Sequence, residues 1–262
     1  TCCGWMTSDA LKDDCIHFSA LAAYLGHVDY LKWYFRTIRL EKRPKSALNR
    51  SVLHFACLGG HEDLAKLLVS DFEFDPTEED SNSWNAVHCA IASNAAGLVC
   101  WMLDCEAYHT KAKSPTLDPK FLSLCANFGS LATAQALVAR GCTPNRTNFN
   151  HHHNQTPLMI ACNSKFNASH GAFERWILGL GTENLACVDS TGLNALHLAS
   201  KAGNRDAILV LLELSLDLDA RTRDKEGKSA LMLADNLSIV RLLYHAGARA
   251  FKCKDMLNGF SA

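Results

Sequence analysis

Net charge is nearly absent from this 262-residue chain: 26 Lys and Arg stand against 27 Asp and Glu, leaving −1 with histidine neutral. The balance withholds the basic face that nucleic acid or an anionic membrane surface selects, so neither is an expected partner. A secretory leader is also missing, since no basic, apolar and small-residue succession opens the chain. Its first residue is Thr1 and not Met, which suggests a piece of a longer protein. Long hydrophobic runs are lacking too. Residues 81–103 and 121–139 carry no formal charge, but the first window holds Asn82, Asn85, His88, Ser93 and Asn94, and the second Asn127, Gly129 and Gln135. Polar groups at such positions are costly in hydrocarbon, which argues against membrane insertion. No Gly-rich phosphate loop, HExxH pattern or GxSxG elbow occurs, so neither catalysis nor a cofactor is expected.

What the chain does have is 48% apolar residues, enough for a sizeable core, and 12 cysteines. It also repeats itself. Ser51 to Leu68 reads SVLHFACLGGHEDLAKLL and Asn194 to Leu212 reads NALHLASKAGNRDAILVLL, which superimposes Leu53-His54 on Leu196-His197, Ala56 on Ala199 and Gly60 on Gly203. The same frame finds NAVHCAIASNAAGLVCWML from Asn85, KFLSLCANFGSLATAQALV from Lys120, TPLMIAC from Thr156 and SALMLAD from Ser229. A degenerate copy, HFSALAAYLGHVDYLKWYF, starts at His17. The starts fall at residues 17, 51, 85, 120, 156, 194 and 229, one every 34 to 38 residues.

This pattern resembles the ankyrin repeat, with its period of about 33 and its T-P-L-H-x-A signature. Arg140-Gly141-Cys142-Thr143-Pro144-Asn145 and His245-Ala246-Gly247-Ala248 look like the family's closing motif, and the stretches 189–192 and 224–227 like its D-x-x-G turn. The resemblance implies an all-α solenoid of about seven helix–turn–helix repeats with β-hairpin-like finger loops over residues 17–248. An N-terminal cap segment, 1–16, and a C-terminal tail or cap, 249–262, flank it.

Elementary chemistry supports each repeat. Ser51, Thr156 and Ser229 stand at helix starts, where a hydroxyl can accept an orphan N–H. Pro157 follows Thr156 at a position where its missing N–H costs nothing. Gly26, Gly60, Gly129 and Gly203 mark inter-helix turns, and Leu64 with Leu67 and Leu68 begins an apolar stripe that a single repeat cannot bury. Repeat five has about four extra residues around 164–171 relative to the family period, and repeat seven is short between Asp235 and Leu237. Cys57, Cys89, Cys125, Cys142 and Cys162 fall where the repeat wants a small apolar side chain. Twelve free thiols in a reducing compartment are therefore expected, placing the protein in the cytoplasm with the nucleus left open. The five N-x-S/T triplets then read as unmodified.

Some residues could carry chemistry. His54, His88 and His197 hold the fourth signature position, which in the family bonds the backbone of the neighbouring repeat. His151, His152 and His153 sit on a loop with no Cys, Asp or Glu beside them to complete a metal shell, so no metal is expected. Basic residues gather over 36–50 and acids over 71–80. Neighbouring loops of opposite sign either attract each other or recruit an oppositely charged partner.

The resemblance also implies a binding face, built from finger tips and from first-helix sites just before the glycine. The finger positions are Arg50, Trp84, His152, His153, Gln155, Leu193 and Lys228. Those on helices are Tyr24, Leu58, Ser93, Asn127, Phe128, Asn163 and Lys201. Trp84 either anchors a partner or packs against the next finger. The expected function is capture of another protein or peptide by a monomeric module of a larger protein. The alternative is a structural spacer or regulatory domain of a larger enzyme or channel, with no ligand of its own.

Overall fold

The computed structural model describes residues 18–37, 45–106, 108, 120–143, 154–164, 171–181, 187–214 and 223–245. The His151–His153 triplet, both flanking segments and the extra residues 165–170 of repeat five lie outside them. Among the described residues six pairs of short helices succeed one another: α1 (Phe18–Tyr24) with α2 (Val28–Thr37), α3 (Val52–Leu58) with α4 (Glu62–Ser70), α5 (Ala86–Ala92) with α6 (Ala96–Asp104), α7 (Lys120–Phe128) with α8 (Leu131–Ala139), α9 (Pro157–Asn163) with α10 (Ala172–Gly179), and α11 (Ala195–Ala202) with α12 (Arg205–Leu214). A single helix, α13 (Leu237–His245), follows. Two compact blocks result, Thr1–Leu124 with Ala132–Arg140, and Cys125–Leu131 with Gly141–Ala262.

Helices of seven to ten residues are marginal alone in water, so packing must hold them. The first helices are accordingly sheathed: every residue from Val52 to Cys57, and from Ala86 to Ile91, is buried. Second helices bury one stripe, Leu64, Ala65, Leu68 and Val69 in α4, and Leu98, Val99, Met102 and Leu103 in α6. Free thiols take part as small apolar groups, with Cys57, Cys89, Cys125 and Cys162 buried.

The signature histidine works first inside its own repeat. Nδ1 of His54 accepts the Ser51 N–H (3.2 Å), and Nδ1 of His88 accepts the Asn85 N–H (3.1 Å). In return the Asn85 Oδ1 accepts from the His88 N–H, which makes a capping box with histidine in the place usual for Glu or Gln. With Nδ1 accepting, the Nε2–H of His54 is left to donate to the Trp84 carbonyl (3.0 Å) in the next finger. Both the intra-repeat cap and the inter-repeat bond are thus made by one ring.

Each inter-helix turn bends through a left-handed residue. Gly60 has φ +72° there, and in repeat three Asn94 takes the same role with φ +57°. The turn also carries a polar group toward the preceding repeat. The His61 imidazole donates to the Tyr24 carbonyl (2.8 Å), Ser93 Oγ to Cys57 (2.7 Å), Ser164 Oγ to Asn127 (2.6 Å) and Asn204 Nδ2 to Cys162 (3.4 Å). Those carbonyls lie at the ends of first helices, beyond the regular helical ladder, so these helix ends gain a donor from the repeat that follows. In repeat seven the Asp235 N–H does this for Ser200. That repeat has no first helix, only turns over 230–233, as its shortened sequence suggests.

The expected β-hairpin fingers are slighter than hairpins. Among the described residues the fingers hold isolated antiparallel bridges, Lys45 with Ser51 and Arg223 with Ser229, and no strand. An aspartate takes the place of a ladder. Asp80 Oδ1 accepts from the Asn82 and Trp84 N–H groups, Asp189 Oδ1 from Thr191 and Leu193, and Asp224 Oδ1 from Glu226 and Lys228.

Candidate functional site

In the N-terminal block, two consecutive fingers and the ends of their first helices present the positions that the sequence singles out. Finger one turns at Ser46–Asn49, where Asn49 adopts φ +59° and its N–H returns to the Ser46 carbonyl. Finger two turns at Asp80–Ser83 in the same way, with Ser83 at φ +59°. They are tied edge to edge. The Ser81 N–H donates to the Leu48 carbonyl (2.9 Å), and the Asn49 amide to the Glu79 carbonyl (3.3 Å).

Ion pairs complete the tie. Arg50 Nε meets Asp80 Oδ2 at 2.8 Å, with the aspartate side chain wholly buried, and Lys45 pairs with Glu78. The basic and acidic loops therefore attract each other, as the milder of the two sequence readings has it. Arg50 is a clamp between fingers and has little surface left for a partner. Gln155 repeats the device in the C-terminal block: its amide donates to Asp189 Oδ2 (3.1 Å), and its side chain is buried. Burial alone would raise the Asp189 carboxyl. Hydrogen bonds from Thr191, Gln155 and the Leu193 backbone outweigh it and hold the group below the ordinary carboxylate range.

The remaining positions divide by exposure. Leu193 is buried, so it leaves the contact set together with Gln155. Ser93 spends its hydroxyl on the Cys57 and Ala90 carbonyls. Tyr24, Leu58 and Trp84 are half-buried in the N-terminal block. In the C-terminal block Asn127 and Phe128 are half-buried, while Asn163, Lys201 and Lys228 are exposed. Lys228 pairs with Glu226 (2.7 Å). His152 and His153 lie outside the described residues. The Trp84 backbone is held from both sides, by His54 and by Asp80, and its indole stacks on the His88 ring at 6.3 Å.

One candidate was missed by sequence reasoning. Leu48 stands 38% exposed on the turn of finger one, an apolar side chain with fixed backbone and no core to enter. A leucine between Ala47 and a turn asparagine was the available signal. Lys66, on α4, is not idle either: it bonds Glu62 (2.7 Å) and lies 5.8 Å from the Trp101 ring centre.

The chemistry on offer is recognition. Burial pushes the Cys89 thiol up to about 12, and raises Cys57, Cys125 and Cys162 as well, which leaves these sulfurs protonated and poor nucleophiles. Among the described residues no group of three or more His, Cys, Asp or Glu could hold a metal ion. No helix among them is long and apolar enough to cross a membrane.

Comparison with known proteins agrees with this architecture. A family model described as ankyrin repeats (3 copies) matches residues 19–114, 122–219 and 166–252. The crystal structure of the human ASB11 ankyrin repeat domain superimposes with a TM-score of 0.66 at 22% identity, covering 87% of this chain and 96% of that one. The ankyrin repeat domain of Bcl-3 gives 0.56 at 21% identity, covering 86% and 97%. Such identities speak to the fold alone. The transient receptor potential cation channel subfamily A member 1 of Drosophila melanogaster is 25% identical over 229 residues, which cover 76% of this chain and 17% of that protein.

Proposed function

Since the chain belongs to the ankyrin-repeat family, a family of protein–protein interaction modules, we propose that it captures a partner protein on the finger and first-helix side of its N-terminal block. The observation that carries this reading is the tied pair of fingers that holds the exposed Leu48. Arg50–Asp80, Lys45–Glu78 and Ser81–Leu48 fix the two tips before any partner arrives, so little ordering entropy remains to be lost on binding. Leu48 and Trp84 on the fingers, with Tyr24 and Leu58 at the helix ends, supply the apolar contacts. In the C-terminal block, Phe128, Asn127, Asn163, Lys201 and Lys228 are the corresponding contacts.

The partner is a protein or peptide segment with an apolar side chain for Leu48 and Trp84. Neither nucleic acid nor membrane fits, because the basic residues Lys45 and Arg50 are already neutralised by the next finger. No catalytic step is assigned, and the thiol chemistry calls for a reducing compartment such as the cytoplasm. The stretch of similarity to 17% of a channel subunit favours a place as the recruiting part of a larger protein.

The test is affinity capture with the chain as bait, followed by titration calorimetry with the partner recovered. Leu48→Ser and Trp84→Ala should each weaken binding, Trp84→Ala by about 2 kcal/mol, roughly thirtyfold, with the circular dichroism melt unchanged. Normal melts with normal binding would put the contact on another face.

A further inference from the structure

The first helix pair exposes apolar side chains at Phe18, Leu21 and Tyr30 whose counterparts in the other pairs are mostly buried, and at Leu25 and Trp33 whose counterparts Gly59, Ser93, Leu67 and Trp101 are half-buried. On α1, Phe18 is 79% exposed, Leu21 37% and Leu25 53%, and on α2 Trp33 is 57% exposed. The residues in register with Phe18, namely Val52, Ala86, Phe121, Pro157 and Ala195, are all buried. So are Phe55, Cys89, Ile160 and Leu198, in register with Leu21, while Leu124 in α7 is half-buried. Tyr30 is 38% exposed where its counterparts Leu64 and Leu98 are at 0%. In later repeats the first helix packs against the first helix of the preceding repeat, as α3 does on α1, α5 on α3 and α11 on α9. A repeat array ends stably only where its last apolar face is given a polar cover.

We propose that residues 1–16 of the same chain are that cover, seated on Phe18, Leu21, Leu25, Tyr30 and Trp33. Three features select them over another occupant. They run directly into α1, so the tether holds them at the face at high effective concentration. Trp5, Met6, Ala10, Leu11, Cys15 and Ile16 supply apolar surface to meet the face, and Asp9, Lys12, Asp13 and Asp14 supply charge to meet water. Their length suffices: even at the helical rise, sixteen residues reach about 24 Å, beyond the roughly 15 Å of the ten-residue α2. The face is thus an intramolecular seat and is separate from the finger surface assigned to the partner.

The experiment places the photo-crosslinker p-benzoylphenylalanine at position 18 of the full chain, where the exposed phenylalanine tolerates added bulk. Irradiation and mass spectrometry should find crosslinks within one chain, to peptides of residues 1–16. Crosslinks between chains that grow with concentration would assign the face to a second copy and overturn the proposal, as would an absence of crosslinks into 1–16. A second arm uses Trp5→Ser combined with Met6→Ser at full length. It should raise the fluorescence of the dye ANS and lose amide protection over residues 18–25, with the helical circular dichroism retained. Unchanged dye binding and protection would equally overturn it.

Discussion

His54 caps its own helix through Nδ1 and holds the next finger through Nε2–H, so its replacement breaks two contacts at once. His54→Ala should cost about 2–3 kcal/mol, from a lost cap, a Trp84 carbonyl left with the Asp80 N–H alone and a cavity, and a shifted urea midpoint would show it. Its titration has a defined sign. Burial holds the imidazole below its ordinary value, against the opposing pull of the Trp84 carbonyl and Asp80. The unfolded chain therefore binds the proton more readily, and His54 gives its full stability above about pH 6.5. That contribution fades as the pH falls from there through the folded-state value. Urea melts at pH 7.5 and pH 5 should show a larger loss in the parent than in His54→Ala; an equal loss in both would contradict the assignment. Thiols obey the same logic of burial. Cys57, Cys89, Cys125 and Cys162 should resist a thiol reagent in the folded protein, and denatured, non-reduced protein should titrate close to 12 thiols. A denatured count lower by several pairs would indicate disulfides.

Between elements, close approach decides which glycines are replaceable. Gly59 has an ordinary helical φ of −77°, yet a Cβ there would stand 2.4 Å from the Tyr24 carbonyl oxygen and 2.6 Å from the His61 ring. Gly60 has room, since a Cβ there would meet only ordinary contact with Ser93 at 3.7 Å, but its φ is +72°. Gly97 lies within α6, and its Cβ would meet only the end of the Glu62 side chain, at 2.8 Å, which can swing away. Gly59→Ala and Gly60→Val should therefore each destabilise, the first by prying two repeats apart. Gly97→Ala should gain up to about 0.5–1 kcal/mol of helix propensity. Equal effects in denaturant melts would refute this ranking. The finger clamps separate in the same way. Lys45→Ala removes a half-exposed pair and should cost under about 1 kcal/mol, whereas Arg50→Ala strands the buried Asp80 carboxylate and should cost about 3 kcal/mol.

For the molecule as a whole, charge is spent internally. With a net charge of −1 and an isoelectric point near 6.8, the protein should be least soluble close to pH 7, which a precipitation series from pH 5 to 9 would test. Because the basic and acidic fingers neutralise each other, long-range steering should contribute little to capture. Partner affinity should accordingly change by less than about tenfold between 50 and 500 mM salt, while a steeper loss would point to charge-driven docking.

The period, the helix pairs, the turn glycines and the alanine-like cysteines were legible in the sequence because each obeys a local rule. A seven-residue apolar helix start needs a cap, a reversal needs positive φ, and a stripe of leucines needs a neighbour. The fate of the finger residues was not local. Arg50 and Gln155 occupy the same register as Trp84 and Leu193, yet two clamp an aspartate, one is buried and one stays half-exposed. What separates them is the partner each finds some 30 residues further along the chain, at Asp80 or Asp189. The need for Gly59 and the tasks of His61 and Ser93 likewise arise from a carbonyl in the preceding repeat. Local sequence determined that repeats form and stack. Only the stacked structure decided which side chains remain for a partner, because a side chain turns outward or inward according to the surface that the next repeat lays against it.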